Sequence, residues 1–159
     1  MIRTGIGYDC HRFAAGRRLV LGGVELQSEL GLEGHSDADV LTHAIIDALL
    51  GAAALGDIGQ HFPDTDERYR DADSLQLLRH TVERLGAQGF AIENVDATIM
   101  LERPHLSGVR EQICASLAEA LGLPAGRVNV KATRGEGMGF VGRGEGAAAL
   151  AVATVTSSG

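Results

Sequence analysis

The segment from Ala147 to Val155, Ala-Ala-Ala-Leu-Ala-Val-Ala-Thr-Val, carries no charge and is apolar on both alternating faces. Successive side chains in a strand point to opposite sides, so such a strand must be covered on both sides. Only three other segments have a strong helical period, too few to cover two faces of a sheet. The sheet is expected to lie under its own helices on one face and against something else on the other.

The remaining segments are consistent with one α+β domain spanning residues 1–159. Residues 2–13 read as a strand, and Val20 to Leu26 as a second, with Gly22-Gly23 a bulge or bend. Asp37 to Ala53 reads as a helix, with Val40, Leu41, Ala44, Ile45, Ala48 and Leu49 on one broad arc. Gly56 to Asp66 reads as loop. Ser74 to about Leu85 reads as a second helix, Phe90 to Leu101 as a strand, and Ser107 to Leu121 as a helix stopped by Gly122. Val128 to Thr133 reads as a strand, and Arg134 to Gly146, with six glycines, as a loop. The order β-β-α-α-β-α-β-β predicts a mixed sheet of four to five strands with helices on one face.

Composition narrows the function. The net charge of −7 disfavours a nucleic-acid partner, which needs a basic surface. No apolar run reaches the ~18 residues needed to span a bilayer, and no secretory leader is evident. With only Cys10 and Cys114, a cytoplasmic location is expected.

Several short motifs carry candidate chemistry. Asp9 and His11 share one strand face. That pattern suits a solvated face, or two thirds of a zinc site. His35-Ser36-Asp37-Ala38-Asp39 precedes the first helix, and Ser36 with Asp39 fits a capping box. Asp39, His43 and Asp47 fall within about 80° on a helical wheel. Asp47 is placed to receive the second ring N–H of His43, an arrangement that fixes a ligating tautomer. Gly56-Asp57-Ile58-Gly59 and Phe62-Pro63-Asp64-Thr65-Asp66 are acidic turns, for which turn formation alone is a sufficient reason. Lys131-Ala132-Thr133-Arg134-Gly135-Glu136 runs into the glycine-rich loop that Arg143-Gly144-Glu145-Gly146 closes; amides of such loops can cradle phosphate.

Taken together and in this order, these motifs closely resemble the 2-C-methyl-D-erythritol 2,4-cyclodiphosphate synthase family of the non-mevalonate isoprenoid pathway, over essentially the whole chain. The resemblance implies a homotrimer with active sites at subunit interfaces, trimerising through the free sheet face. It implies one zinc per chain and a second divalent cation, magnesium or manganese. The implied reaction converts 4-diphosphocytidyl-2-C-methyl-D-erythritol 2-phosphate into the cyclic diphosphate and CMP. Residue by residue, Asp9, His11 and His43 resemble the zinc ligands. His35 and Ser36 resemble phosphate contacts. Asp57, Ile58 and Gly59, with Phe62, Pro63, Asp64, Thr65 and Asp66, resemble the lining around the methylerythritol unit. Leu101, Pro104 and Leu106 resemble the cytidine pocket, supplied by a neighbouring subunit. Thr133 resembles a diphosphate contact and Glu136 the ligand of the second cation. Phe140 and Arg143 resemble residues near the threefold axis.

The chain departs from the family pattern at two points. The family carries a run of threonines after Lys-Ala, whereas here Thr133 is followed by Arg134 and Gly135. Arg134 stands where the family uses a threonine to stabilise the transition state; a guanidinium can fill that role bidentately or swing away and leave it to metal. His105 stands where the family commonly has lysine. Two rival functions share many of these features: a metal-dependent phosphohydrolase and a non-catalytic trimer binding isoprenoid diphosphates.

Overall fold

A computed structural model describes residues 1–157 of the chain. Strands β1 (Ile2–Ala15), β4 (Leu30–Leu32), β5 (Phe90–Met100), β6 (Val128–Thr133) and β7 (Gly146–Ser157) form a five-stranded sheet in the order β4-β1-β7-β5-β6. β5 and β6 run parallel and the other pairs antiparallel, so the sheet is mixed. Helices α1 (Val40–Ala53), α3 (Ser74–Ala87) and α4 (Arg110–Leu121) lie over one face. β7 is the central strand, as its two-sided apolar pattern requires. Ala147, Ala149, Ala151, Ala153 and Val155 point into the core, while Leu150 and Val152 lie exposed on the opposite face with Ile6 and Tyr8 of β1. No helix among the described residues is long and apolar enough to cross a membrane.

Helix α1 presses directly on β1. A Cβ at Gly5 would come 2.0 Å from the Ala48 carbonyl oxygen, and one at Gly7 would come 1.8 Å from that of Ala44. Only glycine permits that approach. It brings the first turns of α1 over the next core-facing residues of β1, which are Asp9 and His11.

The expected strand at Val20 to Leu26 is instead a hairpin of β2 (Leu19–Leu21) and β3 (Val24–Leu26). Gly22 and Gly23 both have positive φ, 58° and 75°, the conformation that a two-residue hairpin turn demands. The expected capping box is not formed. Helix α1 starts at Val40 with Asp39 as its N-cap, and the Asp39 carboxylate accepts from Thr42 N–H. The same carboxylate is fully buried and accepts from Gly22 N–H (2.9 Å) and Gly23 N–H (2.8 Å), pinning the hairpin tip to the helix start. Asp39 therefore faces the core and not a polar stripe shared with Asp47.

Other boundaries also move. The Gly56 to Asp66 loop contains a helical turn, α2 (Ile58–His61), capped by Asp57, and the glycine-rich loop contains α5 (Gly139–Gly142). α4 starts at Arg110, three residues later than Ser107. The small β4 was not anticipated; Leu-Gly-Leu is too short to show a period.

Candidate active site

Asp9 and His11 project from β1 toward α1, and His43 in the first turn of α1 meets them. Asp9 Oδ2 lies 2.8 Å from His11 Nε2 and 3.0 Å from His43 Nδ1, and the two ring nitrogens are 3.3 Å apart. Among the described residues, this is the group of His, Cys, Asp or Glu side chains whose ligand atoms converge as a metal site would require.

The far nitrogen of each imidazole is already engaged. His11 Nδ1 donates to the Glu33 carbonyl at 2.9 Å. His43 Nε2 lies 2.8 Å from Ser74 Oγ and 3.2 Å from Ser36 Oγ. The near nitrogens are thus left facing the Asp9 carboxylate, so a positive charge must reside among the three groups. In the protein without metal that charge is a proton. Burial pushes the Asp9 carboxyl up, yet hydrogen bonds from His11 and His43 outweigh it and hold it at about 2. Burial pushes the His11 imidazole down, and the Asp9 hydrogen bond and charge raise it above its usual value. The donor set of two imidazoles and one carboxylate fits a catalytic-type zinc, with a fourth position free for substrate.

A pH dependence follows from this. The raised His11 pKa makes a contribution to folding that is complete below its ordinary value near 6.5 and is lost as pH rises through the folded value. Metal-free protein is therefore expected to melt at lower temperature at about pH 9 than at about pH 6 from this group, while zinc affinity rises over the same interval as the proton departs. Thermal melts and zinc titrations of chelator-treated protein check both. A zinc affinity that stays flat across that interval would contradict the assignment.

Asp47 does not serve His43; its carboxylate accepts from Ile58 N–H at 2.7 Å and anchors α2 beside the site. The strap from Phe62 to Asp73 packs over the loop before α1. His35 Nε2 donates to the Asp66 carbonyl at 3.0 Å, and the Asp71 amide donates to the His35 carbonyl at 2.8 Å. Asp57, Gly59, Asp64 and Thr65 are exposed, with Ile58, Pro63 and Asp66 half-buried. Asp66 is gripped by Arg68. The Phe62 side chain is buried against Tyr69, so only its main chain can line a ligand site. Ser36 Oγ lies behind the His43 ring, on the side away from Asp9.

A second group of the expected residues gathers elsewhere. Leu101, Pro104, Leu106, Thr133 and Arg134 line a cavity of about 220 Å³, with none of the three cluster residues in its wall. Arg134 does not project freely: its guanidinium donates to Glu102 at 3.0 Å, and the other Glu102 oxygen accepts from Gly135 N–H at 2.9 Å. Glu136 is exposed with φ of 53° on the loop that follows. Phe140 and Arg143 lie on and just after α5, and Arg143 pairs with Glu145 at 3.2 Å.

Ser74, Asp37 and Glu102 were absent from the expected set. So was Arg17, whose guanidinium donates to the carbonyls of Leu32, Gly34 and Ser36 and shapes the loop carrying His35. Asp37 stands inside the His35-to-Asp39 motif but its partner Ser74 is distant in the chain, and the other three lie in no motif because their partners are distant as well.

Known proteins resemble the chain over nearly its whole length. The YgbB family matches residues 2–156. A 2-C-methyl-D-erythritol 2,4-cyclodiphosphate synthase of Salinibacter ruber is 57 % identical over 157 residues, covering 99 % of this chain and all of the relative. A bifunctional enzyme IspD/IspF of Anaeromyxobacter is 60 % identical over 152 residues; the match covers 96 % of this chain but only 39 % of that longer relative. The solved structure of Plasmodium falciparum IspF in complex with CDP superposes with a TM-score of 0.87 at 28 % identity, covering 99 % of this chain and 97 % of that one. The chain belongs to the YgbB family, the family of the 2-C-methyl-D-erythritol 2,4-cyclodiphosphate synthases that it matches.

Proposed function

We propose that the chain converts 4-diphosphocytidyl-2-C-methyl-D-erythritol 2-phosphate to 2-C-methyl-D-erythritol 2,4-cyclodiphosphate and CMP. The observation that carries this is the convergence of Asp9, His11 and His43, each with its ligating atom turned inward, in a chain of this family. Asp9, His11 and His43 would hold zinc, and Glu136 a second cation, magnesium or manganese. Bound there, these ions supply Lewis-acid neutralisation of phosphate charge.

The chain's own work is to fold the substrate and exclude water. A phosphate monoester has its second pKa near ~6, so the attacking 2-phosphate oxygen needs no protein base. It forms the new bond to the β-phosphorus, the bond from that phosphorus to the oxygen bridging to CMP breaks, and CMP departs with the electron pair. Positioning of this kind is worth roughly 7–11 kcal/mol in well-oriented intramolecular reactions. In this reading the main chain near His35 and Ser36 contacts the 2-phosphate. Asp57 to Gly59 and Phe62 to Asp66 surround the methylerythritol unit. The cavity at Leu101, Pro104 and Leu106 takes the cytosine. Thr133 meets the diphosphate, with Arg134 held alongside by Glu102.

We also propose a homotrimer. The exposed face of Ile6, Tyr8, Leu150 and Val152 is the uncovered side of the sheet, and threefold packing would bury it with Phe140 and Arg143 near the axis. It would also bring the cytosine cavity of one subunit to the metal ligands of the next. Both cysteines are free thiols, which suits the cytoplasm.

Phosphorus NMR of a reaction with the diphosphocytidyl substrate tests the reading. Cyclic diphosphate plus CMP is expected. An open-chain phosphate would favour a phosphohydrolase, and no turnover with retained binding would favour a binding trimer.

A further inference from the structure

His43 is the ligand whose geometry is the most constrained from behind. Ser74, the first residue of α3, is fully buried, and its Oγ meets His43 Nε2 at 2.8 Å. The same hydroxyl contacts Asp37 Oδ1, while Ser74 N–H donates to Asp37 Oδ2 at 2.9 Å. Asp37 Oδ1 also accepts from Asp39 N–H at 3.2 Å. An ionised carboxylate has no proton to give. The Ser74 hydroxyl proton must therefore point to Asp37, which leaves only an oxygen lone pair for His43. That lone pair can accept an N–H and nothing else.

We infer that Asp37 and Ser74 form a buried acceptor relay that takes the Nε2–H of His43 and so presents its Nδ1 lone pair to the metal, making both of them positioning residues for the centre. The inference deepens the proposed metal-dependent function and rests on it. A ligating imidazole whose other N–H is held by an oriented acceptor has a fixed tautomer and ring plane and is a more basic ligand. His11 is served by a main-chain carbonyl, which no side-chain change can remove. His43 is served by side chains, so its support can be tested directly. The relay also ties the metal centre to α3: the Asp37 carboxylate holds the first amide of that helix as well as its hydroxyl. Ser36 Oγ, at 3.2 Å from Nε2, accepts from Ala38 N–H and is the weaker support.

Ser74→Ala and Asp37→Asn are the test variants. The first removes the acceptor. The second can turn an amide N–H toward Ser74 Oγ and so reverse the hydroxyl's direction. Zinc dissociation constants are measured by competition with a chromophoric chelator. Proton–nitrogen NMR of the zinc-loaded proteins follows the His43 Nε2–H. The wild-type Nε2–H is expected as a downfield resonance in slow exchange with water. Ser74→Ala should bind zinc about 10–100-fold more weakly and lose that resonance to exchange, with unchanged backbone amide spectra. Asp37→Asn should change in the same direction. Zinc affinity within about twofold of wild type in Ser74→Ala, or a wild-type Nε2–H that exchanges as fast as an exposed ring proton, overturns the relay. His43→Ala separates the two levels of the argument. If it binds zinc as wild type does, the metal-centre reading fails and the relay with it. If it loses zinc while Ser74→Ala does not, only the relay fails.

Discussion

His43→Ala is expected to abolish stoichiometric zinc and to lower turnover by at least ~10²–10³-fold, the loss seen when a single preorganised transition-state donor is removed. The expectation comes from the way the three ligands are held. Asp9 and His11 sit at consecutive core-facing positions of β1, and His43 reaches them only because Gly5 and Gly7 let α1 settle against the strand. Removing His43 leaves Asp9 and His11 facing each other across 2.8 Å, a pair satisfied by a single proton and no longer a three-point site. The fold should survive, because the apolar residues of α1 that enter the core, including Leu41, Ile45 and Leu49, are untouched. Elemental analysis of purified protein, melting temperature and phosphorus NMR of the reaction together check it. Full zinc content with full turnover in His43→Ala would show that the ligands lie elsewhere.

The convergence of Asp9, His11 and His43 is the part of the candidate site most legible in the sequence, for a physical reason. Asp9 and His11 are related by the strand period, and His43 stands in the polar gap of a strongly apolar helix; both are local patterns. What sets the tautomers is not local. Ser74 lies in another helix and the Glu33 carbonyl in a loop, and only the tertiary fold brings them to the rings. Asp47 illustrates the same limit. Its spacing from His43 favours a contact, but the free amide of Ile58 at the start of α2 takes the carboxylate. Asp39 also has the spacing of a polar stripe, yet the two glycine amides of the hairpin tip draw it inward.

The fold divides along similar lines. Long elements such as β1, α3 and β5 are readable because each buries one face, α1 because it is apolar nearly all round, and β7 because it is covered on the helix side and apolar on the other. Gly22-Gly23 reads as a bulge or bend within one strand, and the pairing of β2 with β3 and positive φ at both glycines make it a hairpin turn instead. β4 gains its strand character only by pairing Leu30, Gly31 and Leu32 with the end of β1. Arg134 shows what a substitution within a motif hides. The guanidinium is drawn to Glu102, a residue outside every motif, and that pairing holds it at the wall of the cavity lined by Leu101, Pro104 and Leu106.

The central claim is that cyclisation takes place where the metal half of one subunit meets the nucleotide half of another. Two inactive chains bearing different tags, one His43→Ala and the other Glu136→Ala, test it when co-expressed and purified through both tags. In a ring of three, each mixed trimer contains one interface where an intact Asp9-His11-His43 group meets an intact Thr133-to-Glu136 segment. Such trimers are expected to form cyclic diphosphate and CMP at roughly one third of the wild-type rate per trimer, while each homotrimer stays inactive. Mixed trimers as inactive as their parents, or full activity in a protein that light scattering shows to be a monomer, would contradict the account.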